Sequence, residues 1–485
     1  MDSGTNRTPP PELVAPLIVG CALFMEMLDS TVISTALPAM ATSLHQDPIR
    51  LNLAITAYML SLAVFVPISG WMADRFGCRT VFRAAIVIFT LGSVLCGLSG
   101  SLDTIVLSRI LQGFGGAMMV PVGRVIVLKT VDKANLVTAM SYLTVPAVLG
   151  PVVGPPVGGF IVTYWSWRWI FFINVPIGLL GITLVSMFIE DVSEPEVRPL
   201  DLRGFVLTGL GLAGLVFGFE TIGRDIVPAG ITMCVLAAGG ICLGSYVFHA
   251  RRIPHPIVDL SLLKIPTFAI STVGGGLFRI GIGALPFLLP MLLQLVFGLS
   301  PFASGMLTFT SACGALLMKP TAGPIIQRMG FKSVLISNGI LCALILASYA
   351  LFRPSTPHTV IVVALFVGGF LRSLQFTALG TLTYADVPIE SMSGASTLSS
   401  MAQQFFFSLG ITIAALVLHF SLWFHGSKVL STQDFTPAFL ITAILSLVSA
   451  LMYYSLERHA GAEVSGRRPV RARTAAIETA APSGR

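Results

Sequence analysis

Fourteen apolar runs, each about long enough to cross a bilayer, take up most of this chain. They fall at roughly 14–37, 51–72, 80–100, 104–127, 138–163, 168–189, 204–223, 229–249, 267–295, 302–321, 333–352, 359–380, 395–423 and 435–456, against the roughly 20 residues a membrane helix needs. Lipid offers backbone groups no hydrogen-bond partner, so runs of this kind are read as helices. Only 11% of the 485 residues are charged, where a water-soluble domain carries about a quarter. A soluble surface cannot be covered on those terms. The class that remains is a polytopic all-α membrane protein.

An even number of spans places both ends on one side, and short-loop Lys and Arg decide which. One face carries Arg7, Arg75, Arg79, Arg83, Lys129, Lys133, Arg198, Arg203, Arg251, Arg252, Lys264, Arg328, Lys332 and the arginines from Arg458 to Arg485. The other carries Arg50, Arg168, Arg224, Arg353 and Lys428. Cytoplasmic termini follow. The net charge of +7 therefore reflects topology and not a nucleic-acid surface. Residues 1–12 are polar and Pro-rich, and no cleavable leader is read there.

Between the second and third runs lies Gly70–Trp71–Met72–Ala73–Asp74–Arg75–Phe76–Gly77–Cys78–Arg79. Gly323, Gln327, Arg328, Gly330 and Lys332 each stand 253 positions after a residue of this stretch. Such an offset implies an internal repeat: six spans, two extra spans, then six more. The expected organisation is a cytoplasmic N-terminus (1–13), an N-terminal six-helix bundle (14–200), a two-helix insertion (201–255), a C-terminal six-helix bundle (256–457) and a polar, Arg-rich tail (458–485). The insertion is read as a linker pair.

Charges inside spans cost several kcal/mol each on insertion scales, roughly 2.5–3.5 for Asp, Lys or Arg at a helix centre, so each needs a reason. Glu26 and Asp29 stand three apart on the first span and share a helix face. Carboxylates this close repel, and the pair can trade protons; the alternative is that Asp29 stays ionised beside a base and serves packing. That base is expected to be Arg109 on the fourth span, within Arg109–Ile110–Leu111–Gln112–Gly113–Phe114–Gly115–Gly116, whose glycines admit a close neighbour. On the fifth span Gly150, Gly154 and Gly158 step by four to make a smooth face, joined by Gly159, and Pro151 and Pro155 should bend the helix. This face suits a sealed contact between the halves, or ordinary close packing. Arg279 and Arg372 fall near mid-span with Gln375, Gln403, Gln404 and Tyr58 at similar depth; together with Gln112 they are expected to line a substrate cavity. If they do, the arginines favour an anionic compound. Arg124 and Lys319 fall nearer helix ends, where long side chains snorkel.

No phosphate-binding loop occurs, so nucleotide drive is not expected. The histidines avoid mid-span positions and the seven cysteines lack metal-ligand spacing, so no cofactor, haem, metal or catalytic triad is expected, and the chain is not read as an enzyme.

These stretches resemble the major facilitator superfamily, and within it the fourteen-helix drug:proton antiporter family. Leu28–Pro38 resembles that family's first-helix motif, with Ser34 in place of the usual Asn. Gly70–Arg79 resembles the loop between helices two and three, with Cys78 in place of a usual base. Arg109–Gly116 resembles the fourth-helix motif, Gly150–Gly159 the antiporter motif of the fifth, and Trp167–Pro176 the entry to the sixth. The resemblance implies two six-helix bundles about a central cavity that rock between inward and outward openings. It implies proton-coupled efflux of small molecules, drugs among them, across the cytoplasmic membrane, by a monomer embedded in lipid. Asp29, Glu26 and Arg109 would couple protons. Gly70, Asp74, Arg75, Gly77 and Arg79, with the fifth-helix glycines and prolines, would gate; Asp74 would cap a neighbouring helix, and Arg75 and Arg79 would bind carboxylates. The rival readings are a proton-coupled exporter of a specific organic anion and a membrane sensor or scaffold that moves nothing.

Overall fold

A computed structural model describes residues 11–46, 48–132, 135–190, 199–221, 227–299, 301–426, 430–457 and 460–465. Arg7, Lys133, Arg198, Arg224, Lys428 and the arginines from Arg458 onward lie outside the described residues.

The described chain is helical, with no strand. The first six spans are α1 (Pro11–Leu44), α2 (Pro48–Phe65), α3 (Cys78–Leu98), α4 (Leu102–Thr130), α5 (Leu136–Tyr164) and α6 (Asn174–Phe188, preceded by the single turn Trp169–Phe172). The extra pair is α7 (Leu202–Thr221) and α8 (Ala229–Ala250). The last six are α9 (Pro266–Gly283), α10 (Pro301–Met329), α11 (Phe331–Tyr349), α12 (His358–Leu382), α13 (Met392–His425) and α14 (Thr432–Met452). Twelve helices are long and apolar enough among the described residues to cross a membrane; α5 and α10, 29 residues each, complete the fourteen. Large apolar side chains stand exposed along their outer faces, Leu98, Met187, Ile241 and Leu344 among them. That pattern fits hydrocarbon, not water.

Proline positions shape the long spans. Pro67 has no amide hydrogen to give, and α2 passes there through a 3₁₀ turn, Val66–Ile68, before a further helix, Ser69–Phe76. The polar stretch from Gly70 is thus helical to Phe76, and Gly77 alone makes the reversal. After α9 the span continues as Leu285–Met291 and a π turn at Leu292–Val296, with Pro290 inside. The first span outlasts its expected end: α1 continues past Pro38 to Leu44.

The repeat read from the sequence holds in three dimensions. Gly77 and Gly330 both have φ +81° and both precede a helix, α3 and α11. Arg79 donates to the Ser186 carbonyl at the end of α6. Its counterpart Lys332 donates to the carbonyls of Tyr454 and Leu456, each at 2.7 Å, just past α14. Each base thereby satisfies carbonyls at the end of its own half's last helix, where the negative pole of the dipole also favours it. For Arg79 this replaces the expected carboxylate.

The inserted pair bridges the halves. Phe65 of α2 packs on Phe205 of α7, while the Thr412 hydroxyl of α13 donates to the Phe219 carbonyl of α7. At its base Asp201 accepts from the amides of Gly204 and Ile257 and pairs with His249 at 2.8 Å. The insertion is tied down at both ends by one carboxylate. The cysteines are all free, and Cys234 is exposed on α8.

Candidate functional site

A buried ion pair lies in the middle of the N-terminal half. Asp29 of α1 is 3% exposed and Arg109 of α4 is wholly buried. Arg109 Nη1 donates to Asp29 Oδ2 at 2.5 Å and to Gln112 Oε1 at 2.7 Å. Gln112 Nε2 returns a bond to Asp29 Oδ1 at 2.9 Å. A third donor comes from α6: Asn174 Nδ2 reaches Asp29 Oδ1 at 3.0 Å and Ser93 Oγ of α3 at 2.9 Å. The guanidinium also lies over the Tyr58 ring of α2, 4.3 Å from its centroid. Five helices thus meet on one pair of charges, and the carboxylate is held by three donors, one of them charged.

Small residues let those helices come together. A Cβ on Gly113 would strike Ser61 and the Tyr58 carbonyl of α2, and one on Gly115 would strike the Phe89 backbone of α3. Glu26, one turn from Asp29, is 3% exposed, and its Oε2 has no hydrogen-bond partner. No base pairs with it among the described residues. The site therefore contains two acids and one base, with the second acid left uncompensated.

Sequence reasoning expected Asp29 beside Arg109, and the two are paired; the residues expected to line a cavity have the following surroundings. Tyr58 and Gln112, expected in a substrate cavity, are buried against the ion pair. Gln375 is wholly buried between α11 and α12; its amide accepts from Asn338 at 2.9 Å and donates to the Leu335 carbonyl at 3.1 Å. Arg372 donates to Ser311 of α10 at 2.9 Å, inside the C-terminal half. Gln403 and Gln404 are half-buried on α13, Gln403 donating to Ser399. Asn174 and Ser93 were missed; an Asn inside an apolar span was the available signal for the first. Also missed was a second trace of the repeat: Arg372-x-x-Gln375 on α12 echoes Arg109-x-x-Gln112 on α4, 263 positions on, without the acid.

Of the two readings of the fifth-helix glycines, Gly150 and Gly154 fit close packing within their own half. A Cβ on Gly150 would strike Met27 and Leu28, and one on Gly154 would strike Thr31. The smooth face seats α1 of the same half and so backs the ion pair; it does not seal the two halves. Helix α5 runs unbroken through Pro151 and Pro155, with Gly158 buried and Gly159 in open space.

The halves meet instead toward the end that bears the basic hairpins. Ser69 and Thr397 hydroxyls lie 3.1 Å apart, and a Cβ on Gly70 would strike Thr397 and Ser393. Ser396 donates to the Pro121 carbonyl at 2.8 Å. Arg124 donates to the Tyr384 hydroxyl at 3.1 Å. Lys319 Nζ reaches Thr144 of α5 at 2.5 Å and Thr377 of α12 at 3.1 Å. Lys319 is 7% exposed, so it does not snorkel to an interface, and Arg124 points across to the other half. Asp74 lines a groove with Glu390, Ser391 and Gly394 at the start of α13, while Arg75 is exposed.

The Major Facilitator Superfamily model matches residues 19–285 and 271–481. The chain belongs to the major facilitator superfamily. Among its relatives, the "Putative multidrug resistance protein MdtD" of Pectobacterium atrosepticum is 41% identical over 401 residues, 83% of this chain and 86% of that protein. The protein of the same name from Salmonella typhimurium is 39% identical over 402 residues, 83% of this chain and 85% of that one. Among solved folds, the human organic anion transporter MFSD10 superposes with TM-score 0.66 at 15% identity, covering 92% of this chain and all of the other. The proton:xylose symporter XylE gives 0.65 at 15% identity, covering 94% and 98%. Two six-helix bundles with two added helices are therefore the architecture of this superfamily member, a multi-pass membrane transporter.

Proposed function

We propose that this transporter exports small molecules, drugs among them, across the cytoplasmic membrane in exchange for protons. The observation that carries this is the Asp29–Arg109 pair with Glu26 unneutralised one turn away. Two ionised carboxylates there repel, and only one of them has a base. A proton arriving from outside relieves that repulsion, taken up by Glu26 or by Asp29. On Asp29 it weakens the bond to Arg109, so α1 and α4 are released from each other. A ligand shifts a two-state balance only through unequal affinity for the states. The proton has that inequality, because the pair it competes with exists in one arrangement of α1 against α4.

Helix α4 is the proposed link to the other half. Arg109 sits near one end, and Pro121 and Arg124, which touch the C-terminal half, lie about 20 Å along the same helix at 1.5 Å per residue. The contacts from Ser69 to Thr397 and from Pro121 to Ser396 act as the lock on the hairpin side, and Asp74 faces the N-terminus of α13, where a carboxylate is favoured. The basic hairpins and both termini are proposed to be cytoplasmic, in a monomer divided as 14–200, 201–255 and 256–457. No enzymatic step is invoked.

The test is Asp29→Asn in inverted vesicles with an imposed pH gradient. Proton-driven efflux is expected to vanish while the protein still reaches the membrane. Full transport by that variant refutes the assignment.

A further inference from the structure

Three cations of the spans, two of them reaching across the halves, have no acid among the described residues. Among the described residues none of Arg124, Arg279 and Lys319 forms an ion pair. Arg279 of α9 is 6% exposed, its Nε has no hydrogen-bond partner, and its guanidinium faces the Phe376 ring of α12 at 5.8 Å. Lys319 touches α12 at the next residue, Thr377. Arg124 donates to the Tyr384 hydroxyl at 3.1 Å and reaches Ser400 at 3.5 Å, both in the opposite half. A buried charge left without a counter-ion is costly. The N-terminal half shows how such a charge is usually held: Arg109 has Asp29.

The partners these cations do have are neutral hydroxyls, and several belong to the opposite half. Lys319 of the C-terminal half uses Thr144 of the N-terminal half; Arg124 of the N-terminal half uses Tyr384 of the C-terminal half. Opening on the hairpin side removes both hydroxyls and turns the cations toward the cytoplasm. Closing brings the hydroxyls back.

We infer that the exported compounds carry an anionic group, which the unpaired cations of this seam, Lys319 and Arg124, and Arg279 behind them attract while the site faces the cytoplasm. The inference rests on the exporter reading and names its substrate class. A carboxylate, sulfonate or phosphate takes the place of Thr144 and Tyr384 in the open state. On closure those hydroxyls compete with it, and the anion is released toward the other side. The cycle therefore needs no acid of the protein's own at these cations.

The test uses full-length protein in proteoliposomes with an imposed pH gradient and two dyes on one xanthene scaffold, anionic carboxyfluorescein and cationic rhodamine 123. Wild-type protein is expected to move carboxyfluorescein. Arg279→Gln and Lys319→Gln should each raise its KM at least tenfold relative to that of rhodamine 123, and Lys319→Arg should restore it. Thr144→Ala, which removes the competing hydroxyl and keeps the charge, should lower the carboxyfluorescein KM. Transport of rhodamine 123 alone overturns the inference, as do Gln variants that handle both dyes like wild type or lose both in parallel. If wild-type and Asp29→Asn proteins both match empty liposomes for dyes and for proton flux, the exporter reading itself fails, and the substrate class falls with it.

Discussion

Gly77 and Gly330, 253 residues apart, hold the same backbone conformation, φ +81° with ψ 140° and 156°. That region is closed to residues with a Cβ. Gly77→Ala and Gly330→Ala should therefore each destabilise the protein by about 1–3 kcal/mol. Thermal unfolding in detergent measures this, and equal losses at the two positions would express the repeat as an energy. An unchanged Tm for either variant would show that its hairpin can turn another way.

Arg109 balances a charge that nothing else nearby can balance. Arg109→Met leaves Asp29 buried and uncompensated, a change expected to cost about 3–5 kcal/mol. Removing both charges, as Asp29→Leu with Arg109→Met, should recover most of that stability and none of the proton-driven transport. Denaturation of the purified variants, set beside vesicle assays, separates the two effects. A double variant that still couples protons would move the site elsewhere.

Asn174 holds Asp29 from a third direction and is itself tied to Ser93. Asn174→Ala should remove about 1.5–3 kcal/mol of bonding to a charged group. Because it leaves both charges in place, transport should weaken and not disappear. Shifting its pH dependence at constant expression is the sign of a role in coupling; a uniform fall at every pH would point to packing alone.

Ser69 and Thr397 offer a direct test of the lock. Their hydroxyls are 3.1 Å apart across the two halves, close enough that cysteines in their places could meet within disulfide range. In a background with the seven native cysteines replaced, Ser69→Cys with Thr397→Cys should crosslink under mild oxidant and stop transport. Reductant should restore it. A crosslinked protein that still transports would mean that these helices do not separate during the cycle.

The Gly150 and Gly154 face should report on one half only. Gly150→Val pushes α5 off Met27 and Leu28, and overpacking of this kind costs about 1–3 kcal/mol. It should loosen α1 and the ion pair behind it, while the Ser69–Thr397 crosslink still forms at its normal rate. A change in crosslinking rate would show that the glycine face does reach the other half.

The sequence alone determined the number and kind of elements. Fourteen apolar runs with so little charge can only be helices in lipid, since no other segment of that length satisfies its own backbone there. The repeat was legible because Gly77 and Gly330 answer a local steric demand, and Asp29 with Arg109 because a charge inside a span demands a counter-charge. Which polar residue meets which was decided only by the packed helices. Lys319 has the same stem and charge whether it snorkels to water or bridges Thr144 and Thr377, and Gln375 reads identically in a cavity or between α11 and α12. The glycines of α5 announce a close neighbour without naming it. Contact partners depend on the rotation and depth of each helix, quantities fixed by all its neighbours together and written in no single stretch of residues.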